Sequence, residues 1–317
     1  MRYRNLGRSG LKVSVVSLGS WLTFGHKTDK DVASKCVRRA FEMGVNLFDT
    51  ANMYAEGRAE TILGAALAPL PRHEYVLATK AYFPVGPGPN DRGLSRKHIF
   101  EQVHQSLQRL RTDYIELFQC HRYDTDTPLD ETLRVIDDLI TQGKVLYGGV
   151  SVWSVENIRD AFSLTRQLSL RRLISNQPQY HILRRDIESD GVMQVCSEEG
   201  MGILAYSPLA RGLLTGKYTS VDEVPPDSRA ADERGRAFMG PWFSEEGLAT
   251  VAKLEEIATR AGLTLPEMSL AWCLRRPEVS SVIVGASKLE HVEQNVAAAD
   301  IDLDEPVVAA IDEVAPV

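Results

Sequence analysis

A chain of 317 residues, 44% hydrophobic and 25% charged, is long enough to bury a large core and has the balance of a folded globular protein. Its net charge of −7 argues against a nucleic-acid binder, which would present a basic face, and no apolar run nears the roughly 20 residues of a membrane span. The opening Met1-Arg2-Tyr3-Arg4 enters a folded pattern without a signal-peptide core, so a cytoplasmic location without membrane insertion is expected.

The elements follow in order. Gly7-Arg8-Ser9-Gly10 is a turn between two strand-like pieces, a hairpin at the N-terminus. Residues 13–19 read as a strand ending in Gly19. Val32, Cys36, Ala40 and Phe41 then recur at helical spacing and stop at Gly44. The same unit repeats: strand 45–49, helix 59–68, strand 75–80, helix 95–110, strand 114–121. A helix carrying Leu133, Ile136 and Ile140 stops at Gly143 and feeds strand 145–151. Ser154 caps the next helix, before strand 173–177. A helix near 191–199 leads to strand 202–207. After an insertion, 209–246, come helices 247–260 and 264–275, the second opened by a Thr264–Glu267 capping box, and a last strand, 281–285. Strand and helix in strict alternation imply a parallel sheet, and eight strands imply an α/β protein of the (β/α)8 TIM-barrel class. The expectation is one domain, 1–317, with an N-terminal hairpin and a long loop after the seventh barrel strand.

Cys36, Cys120, Cys196 and Cys273 are too scattered for a disulfide framework or a zinc site, and Cys36, Cys120 and Cys273 read as core residues. The polar residues at the strand ends carry more meaning, because catalytic groups in this fold come from several strand ends on one face. They are Asp49 with Tyr54, Lys80, His121, Ser151, Asn176 with Gln177, Tyr206 with Ser207, and Gly285 with Ser287. Singly, Asp49 could be a cap, Lys80 a solvated end charge and His121 a structural histidine. Four titratable groups converging favour chemistry. A lysine cation should lower the phenol's pKa of roughly 10, an aspartate should hold the lysine, and a histidine can bond a carbonyl oxygen. That is a proton-donor site suited to carbonyl reduction, and it needs a hydride source.

No G-x-G-x-x-G follows a strand, and Gly212-Leu213-Leu214-Thr215-Gly216-Lys217-Tyr218 lacks the spacing and the Ser or Thr of a P-loop. A nicotinamide cofactor must be bound otherwise: Tyr206 against the ring, Gln177, Asn176 and Ser151 on the carboxamide, and residues 207–217 around the pyrophosphate. Gly285-Ala286-Ser287-Lys288 opens a helix whose N-terminus favours a phosphate.

The chain resembles the aldo-keto reductases, most closely the branch that includes β-subunits of voltage-gated potassium channels and their bacterial relatives. The resemblance rests on Tyr3-Arg4-Asn5-Leu6-Gly7, Trp21-Leu22-Thr23-Phe24-Gly25, Phe48-Asp49-Thr50-Ala51, Gly93-Leu94-Ser95-Arg96-Lys97-His98, Ser207-Pro208-Leu209, Gly216-Lys217-Tyr218, Ala271-Trp272-Cys273-Leu274-Arg275 and Val284-Gly285-Ala286-Ser287. It implies an NADPH-dependent reductase of a small carbonyl substrate. Tyr54 would be proton donor, Lys80 and Asp49 its tuning pair, and His121 the carbonyl-orienting residue. NADPH/NADP+, rather than NADH, would be held by Ser20, Trp21, Ser151, Gln177, Tyr206, Ser207, Pro208, Leu209, Gly212, Lys217, Arg229, Gly285, Ser287, His291, Gln294 and Asn295. Arg229 and Lys288 favour the 2′-phosphate. Trp21, Tyr82 and Phe83, with Trp153, would wall a substrate pocket, and loop 84–93 would cover it.

Three departures stand out. The channel β-subunits carry asparagine where this chain has His121. Val152 follows Ser151 where many reductases have an asparagine on the carboxamide, and His291 and Gln294 replace the branch's usual Gln and Glu. The alternative the branch implies is a redox-sensing accessory protein that binds NADPH with little turnover. Related proteins form tetramers, so a homo-oligomer is the corresponding expectation.

Overall fold

In the computed structural model, residues 1–21, 23–25, 30–226, 228–231 and 233–316 are described. Leu22, part of a motif above, and Asp227, within the insertion 209–246, lie outside them. Eight parallel strands form a closed barrel: β3 (Val16–Gly19), β4 (Leu47–Asp49), β5 (Val76–Ala81), β6 (Ile115–Cys120), β7 (Val145–Val150), β8 (Leu173–Asn176), β9 (Gly202–Tyr206) and β10 (Val279–Val284). Each pairs with its sequence neighbours, and β10 closes onto β3 through Val282↔Val16 and Val284↔Leu18. This is the expected (β/α)8 barrel.

The outer layer is built from amphipathic helices, including α1 (Lys30–Glu42), α2 (Arg58–Leu67), α3 (Arg96–Leu110), α4 (Leu129–Thr141), α5 (Val155–Gln167), α6 (Asp186–Ser189) and α7 (Val192–Glu199). In α3 the stripe Ile99, Val103, Leu107 and Leu110 is buried, each side chain worth roughly 1.5–3 kcal/mol against exposure. Its start is set by Ser95, whose hydroxyl accepts from His98 N at 3.3 Å. It ends where Arg111 turns left-handed at φ 58°. After β9 come the short α8 (Glu233–Ala237), then α9 (Glu245–Arg260), α10 (Leu265–Leu274), α11 (Leu289–Ala297) and α12 (Glu305–Val314). Thr264 and Glu267 form the predicted capping box at the start of α10. The sequence reading missed α12. Its signals were Asp304 at the N-cap and Pro306 in the first turn, but of the helix's residues only Ile311 is buried, so no apolar stripe marks it.

Alternation along the strands sorts side chains into two layers. Leu47, Val76, Ala78, Leu117, Ile174, Leu204 and Ile283 form a small cluster inside the barrel, whereas Phe48, Leu77, Phe118 and Cys120 join the larger core under the helices. The four cysteines are buried and free. The hairpin of β1 (Tyr3–Asn5) and β2 (Lys12–Ser14) closes the lower end, adding Leu6 and Val13 to the inner cluster. Its turn needs glycine: Gly7 has φ 58°, and a Cβ there would lie 2.3 Å from Gly200 O. Arg4 ties the hairpin to the far end of the chain, donating to Leu274 O (2.7 Å), Arg276 O (3.0 Å) and Val279 O (2.6 Å). The single strand expected over 13–19 is in fact two, separated at Val15, whose N–H turns to Arg2 O at 3.1 Å.

Candidate active site

Strand alternation carries the catalytic candidates upward. In β4 Leu47 faces inward and so does Asp49. In β5 Val76 and Ala78 are followed by Lys80, and in β6 Leu117 and Gln119 are followed by His121 just past the strand. Lys80 Nζ donates to Asp49 Oδ1 at 2.5 Å and to Thr50 O at 2.7 Å. The other carboxylate oxygen of Asp49 accepts from Gln177 Nε2 at 3.0 Å and Gln119 Nε2 at 3.4 Å. Lys80 is fully buried, Asp49 nearly so, and every oxygen of the pair is occupied. A buried ion pair is tolerated only when satisfied in this way.

Tyr54 reaches the same place from the turn after β4, where Ala55 (φ 49°) and Glu56 (φ 57°) both adopt left-handed backbone. Such strain clusters at functional sites. Tyr54 Oη lies 3.4 Å from His121 Nε2, and Lys80 Nζ lies 5.2 Å from the Tyr54 ring centre. Thus Asp49, Lys80, Tyr54 and His121, expected to converge from separate strand ends, form one cluster. Phe83 borders it edge-on to His121 (4.9 Å between centres), and Tyr82 packs on Phe83.

Electrostatics correct one expectation. The sequence reading has Lys80 lowering the Tyr54 pKa. In the structure burial pushes the phenol well above its ordinary value, Asp49 adds to this, and Arg122 only partly opposes it. Lys80 spends its donors on Asp49 and Thr50, not on the phenol. Burial also pulls the Lys80 ammonium down, against the raising effect of Asp49. It holds His121 well below the usual imidazole value, helped by the charges of Lys80 and Arg122. The resting site therefore has a phenol that keeps its proton beside a neutral imidazole.

The cofactor candidates occupy the opposite half of the mouth. Ser151 Oγ donates to Gln177 O at 2.8 Å, and Ser20 Oγ to Thr50 Oγ1 at 2.8 Å. Tyr206 is half-buried, and beyond it the chain is strained, with positive φ at Ser207, Ala210 and Arg211 and φ 106° at Gly212. Pro208 and Leu209 lie within this turn. A Cβ on Gly212 would sit 3.6 Å from Lys217 Nζ, so the glycine leaves an open cradle beside an ammonium. Arg211 and Arg229 both stack on Trp21, their guanidinium carbons 5.9 and 5.6 Å from its ring centre. Burial lowers the Arg229 pKa and the like charge of Arg211 lowers it further. Two crowded arginines, an ammonium and a glycine cradle form a donor set that fits a phosphorylated dinucleotide. Gly285 and Ser287 are exposed ahead of α11. His291 and Gln294 lie on that helix with buried Asn295, and Ser287 Oγ is 3.4 Å from His291 Nδ1.

Two expectations do not hold. Of the expected pair only Gln177 turns inward; Asn176, where the β7–β8 register shifts, faces the helix layer, donating to Trp153 O at 3.4 Å beside Cys196. Trp153 is buried at 2% exposure against Tyr123, packed under the loops rather than walling the mouth. Gln119, Arg122 and Arg211 were missed. Gln119 was findable, since it sits between Leu117 and His121 on the inward face.

Among the described residues there is no metal-ligating cluster and no helix long and apolar enough to cross a membrane. Residues 15–316 match the family model described as Aldo/keto reductase family. A protein of Arabidopsis thaliana, named a probable voltage-gated potassium channel subunit beta, is 41% identical over 303 residues, which is 95% of this chain and 92% of its own length. A protein of Oryza sativa subsp. japonica with the same name also shares 41% identity over 303 residues, with the same coverage of both chains.

Proposed function

The chain belongs to the aldo/keto reductase family, and on that premise we propose that it reduces an aldehyde or ketone to an alcohol using NADPH, with Tyr54 delivering the proton. The observation that carries this reading is the approach of Tyr54 Oη to His121 Nε2 at 3.4 Å, with the Lys80–Asp49 pair directly behind. NADPH, when bound, supplies the hydride. Ser151, Gln177 and Tyr206 would hold its nicotinamide end, with Ser20 and Trp21 beside it. Residues 207–217 would hold the pyrophosphate through Gly212 and Lys217. Arg229 would take the 2′-phosphate, and Ser287, His291, Gln294 and Asn295 the adenine side.

The chain's own groups handle the oxygen. Tyr54 and His121 converge on the point where a carbonyl oxygen gains negative charge as its carbon is reduced. His121, neutral, orients that oxygen, and Tyr54 gives up its proton only as the oxygen becomes basic enough to take it. The Lys80 cation then faces the phenolate left behind and stabilises it. Asp49 holds Lys80 in place and is itself held by Gln177 and Gln119.

A second reading is a redox-sensing accessory protein that binds NADPH with little turnover. It is supported by the names of the plant relatives. Following NADPH oxidation with 4-nitrobenzaldehyde or methylglyoxal separates the two. Turnover supports the reductase; tight NADPH binding without turnover supports the sensor.

A further inference from the structure

Arg122 stands next to His121 in the chain and plays no part in the reaction above. It is half-buried, donates Nη1 to His121 O at 2.5 Å, and lays its guanidinium over the Phe83 ring at 5.3 Å. Phe83 in turn meets His121 edge-on at 4.9 Å. The cation is therefore one aromatic ring away from the imidazole.

No carboxylate among the described residues pairs with it, because the nearby acids are engaged elsewhere. Asp49 is held by Lys80 and two glutamines. Asp124 accepts from Leu94 N (2.6 Å), Thr127 Oγ1 (2.7 Å) and Asp126 N (3.0 Å). Asp126 lies 3.9 Å from Arg92. Arg122 also works against its surroundings, since its charge opposes the protonated forms of both Lys80 and His121. An uncompensated guanidinium at this point gains by meeting an anion, and its remaining N–H groups match a carboxylate fork. That anion is not a cofactor phosphate. The phosphate-binding cations follow β9, whereas Arg122 follows β6, across the barrel mouth.

We propose that Arg122 is a specificity-determining residue that selects carbonyl substrates bearing a carboxylate about one ring-width from the reacting carbon. Phe83 packs against the segment between the two groups. The proposal rests on the carbonyl-reductase reading and narrows its substrate class.

The test compares 4-carboxybenzaldehyde with 4-nitrobenzaldehyde, which share the reacting group and differ in charge. The wild-type protein should favour the carboxylate in kcat/KM. Arg122→Met keeps the packing of the stem and removes the charge; it should cut that preference roughly tenfold or more, chiefly through KM, as expected for loss of a charge-assisted pair. Arg122→Lys should restore part of it. Benzoate binding to the NADP+-loaded protein, read by calorimetry, should weaken by a similar factor in Arg122→Met. An unchanged preference, or unchanged benzoate binding, overturns the proposal and leaves Arg122 a support for Phe83. Should neither aldehyde turn over while NADPH binds, the reductase reading fails, and benzoate binding still decides the role of Arg122.

Discussion

His121 and His181 occupy closely similar surroundings, the first just past β6 and the second in the segment after β8. Both are buried, and each meets an aromatic ring edge-on at 4.9 Å, Phe83 in one case and Trp242 in the other. Each has an Nδ1 with no hydrogen-bond partner among the described residues, and each is held below the ordinary imidazole pKa by burial and neighbouring cations. They differ at Nε2. His121 faces the Tyr54 hydroxyl at 3.4 Å, a group able to give up a proton. His181 faces the Gln179 amide nitrogen at 3.1 Å, which donates a hydrogen bond and nothing more. The backbone differs too: left-handed residues surround the mouth at Ala55, Glu56, Val152, Ser207, Ala210 and Arg211, and none lies within residues 179–186. Burial and an aromatic contact are common to both histidines; the group opposite Nε2 is what sets His121 apart.

The most severe way to break this contrast is Tyr54→Phe. It should lower kcat for carbonyl reduction by roughly 10²–10⁴-fold, the usual worth of a positioned general acid. NADPH affinity, measured by fluorescence titration, should stay within a few-fold; full retained activity would remove Tyr54 from the role. Next in size is Lys80→Met, which leaves the Asp49 carboxylate buried without its cation. A loss of about 3–5 kcal/mol in denaturant-derived stability is expected. A loss no larger than that of a surface substitution would show that Asp49 finds another partner.

The histidine pair can be sharpened by pH. Burial lowers the His181 pKa to about 3, with the Arg184 and Arg211 charges adding to the effect, against roughly 6.5 in an unfolded chain. Its contribution to stability is therefore complete above pH 6.5 and is lost as pH falls toward 3, because the unfolded state binds the proton first. Between pH 7 and 4.5 the wild-type protein should lose about 2–3 kcal/mol more than His181→Gln. Equal losses in urea titrations would show that His181 does not govern acid sensitivity. Smallest is Val152→Gly. Val152 is a β-branched residue at φ 57° and 42% exposed. Relief of that backbone should outweigh the added chain entropy and raise stability by about 0.5–1 kcal/mol, seen as a higher Tm.

Much of this architecture is readable in the residues themselves. Runs such as Val76-Leu77-Ala78-Thr79-Lys80 announce both a buried strand and, by alternation, which end residue points inward. Asp49, Lys80 and His121 are legible for that reason, and Tyr54 follows from its turn. Alternation fails where the register slips. Where β7 and β8 shift register, Asn176 turns to the helix layer although it was expected beside Gln177, and nothing in the local sequence marks it. The direction of the Tyr54 shift is not legible in the sequence, because pairing rules count charges, whereas the dominant influence is desolvation, a property of the whole packed barrel. Arg122 and Arg211 went unnoticed because surface arginines are common, and only the structure brings them against Phe83 and Trp21.

The closure of β3 onto β10 has a consequence for synthesis. Val16 leaves the ribosome long before its partner Val282, which lies seven barrel strands later. Until then β3 has one open edge. The Arg4 side chain also waits for the carbonyls of Leu274, Arg276 and Val279. Contacts so distant in sequence are slow to form, and an open strand edge invites pairing with another chain. A truncation before β10 should therefore yield an aggregation-prone intermediate rather than a smaller folded barrel. The barrel is thus complete only once β10 is in place, and the Arg4 contacts can form only with the segment that carries it.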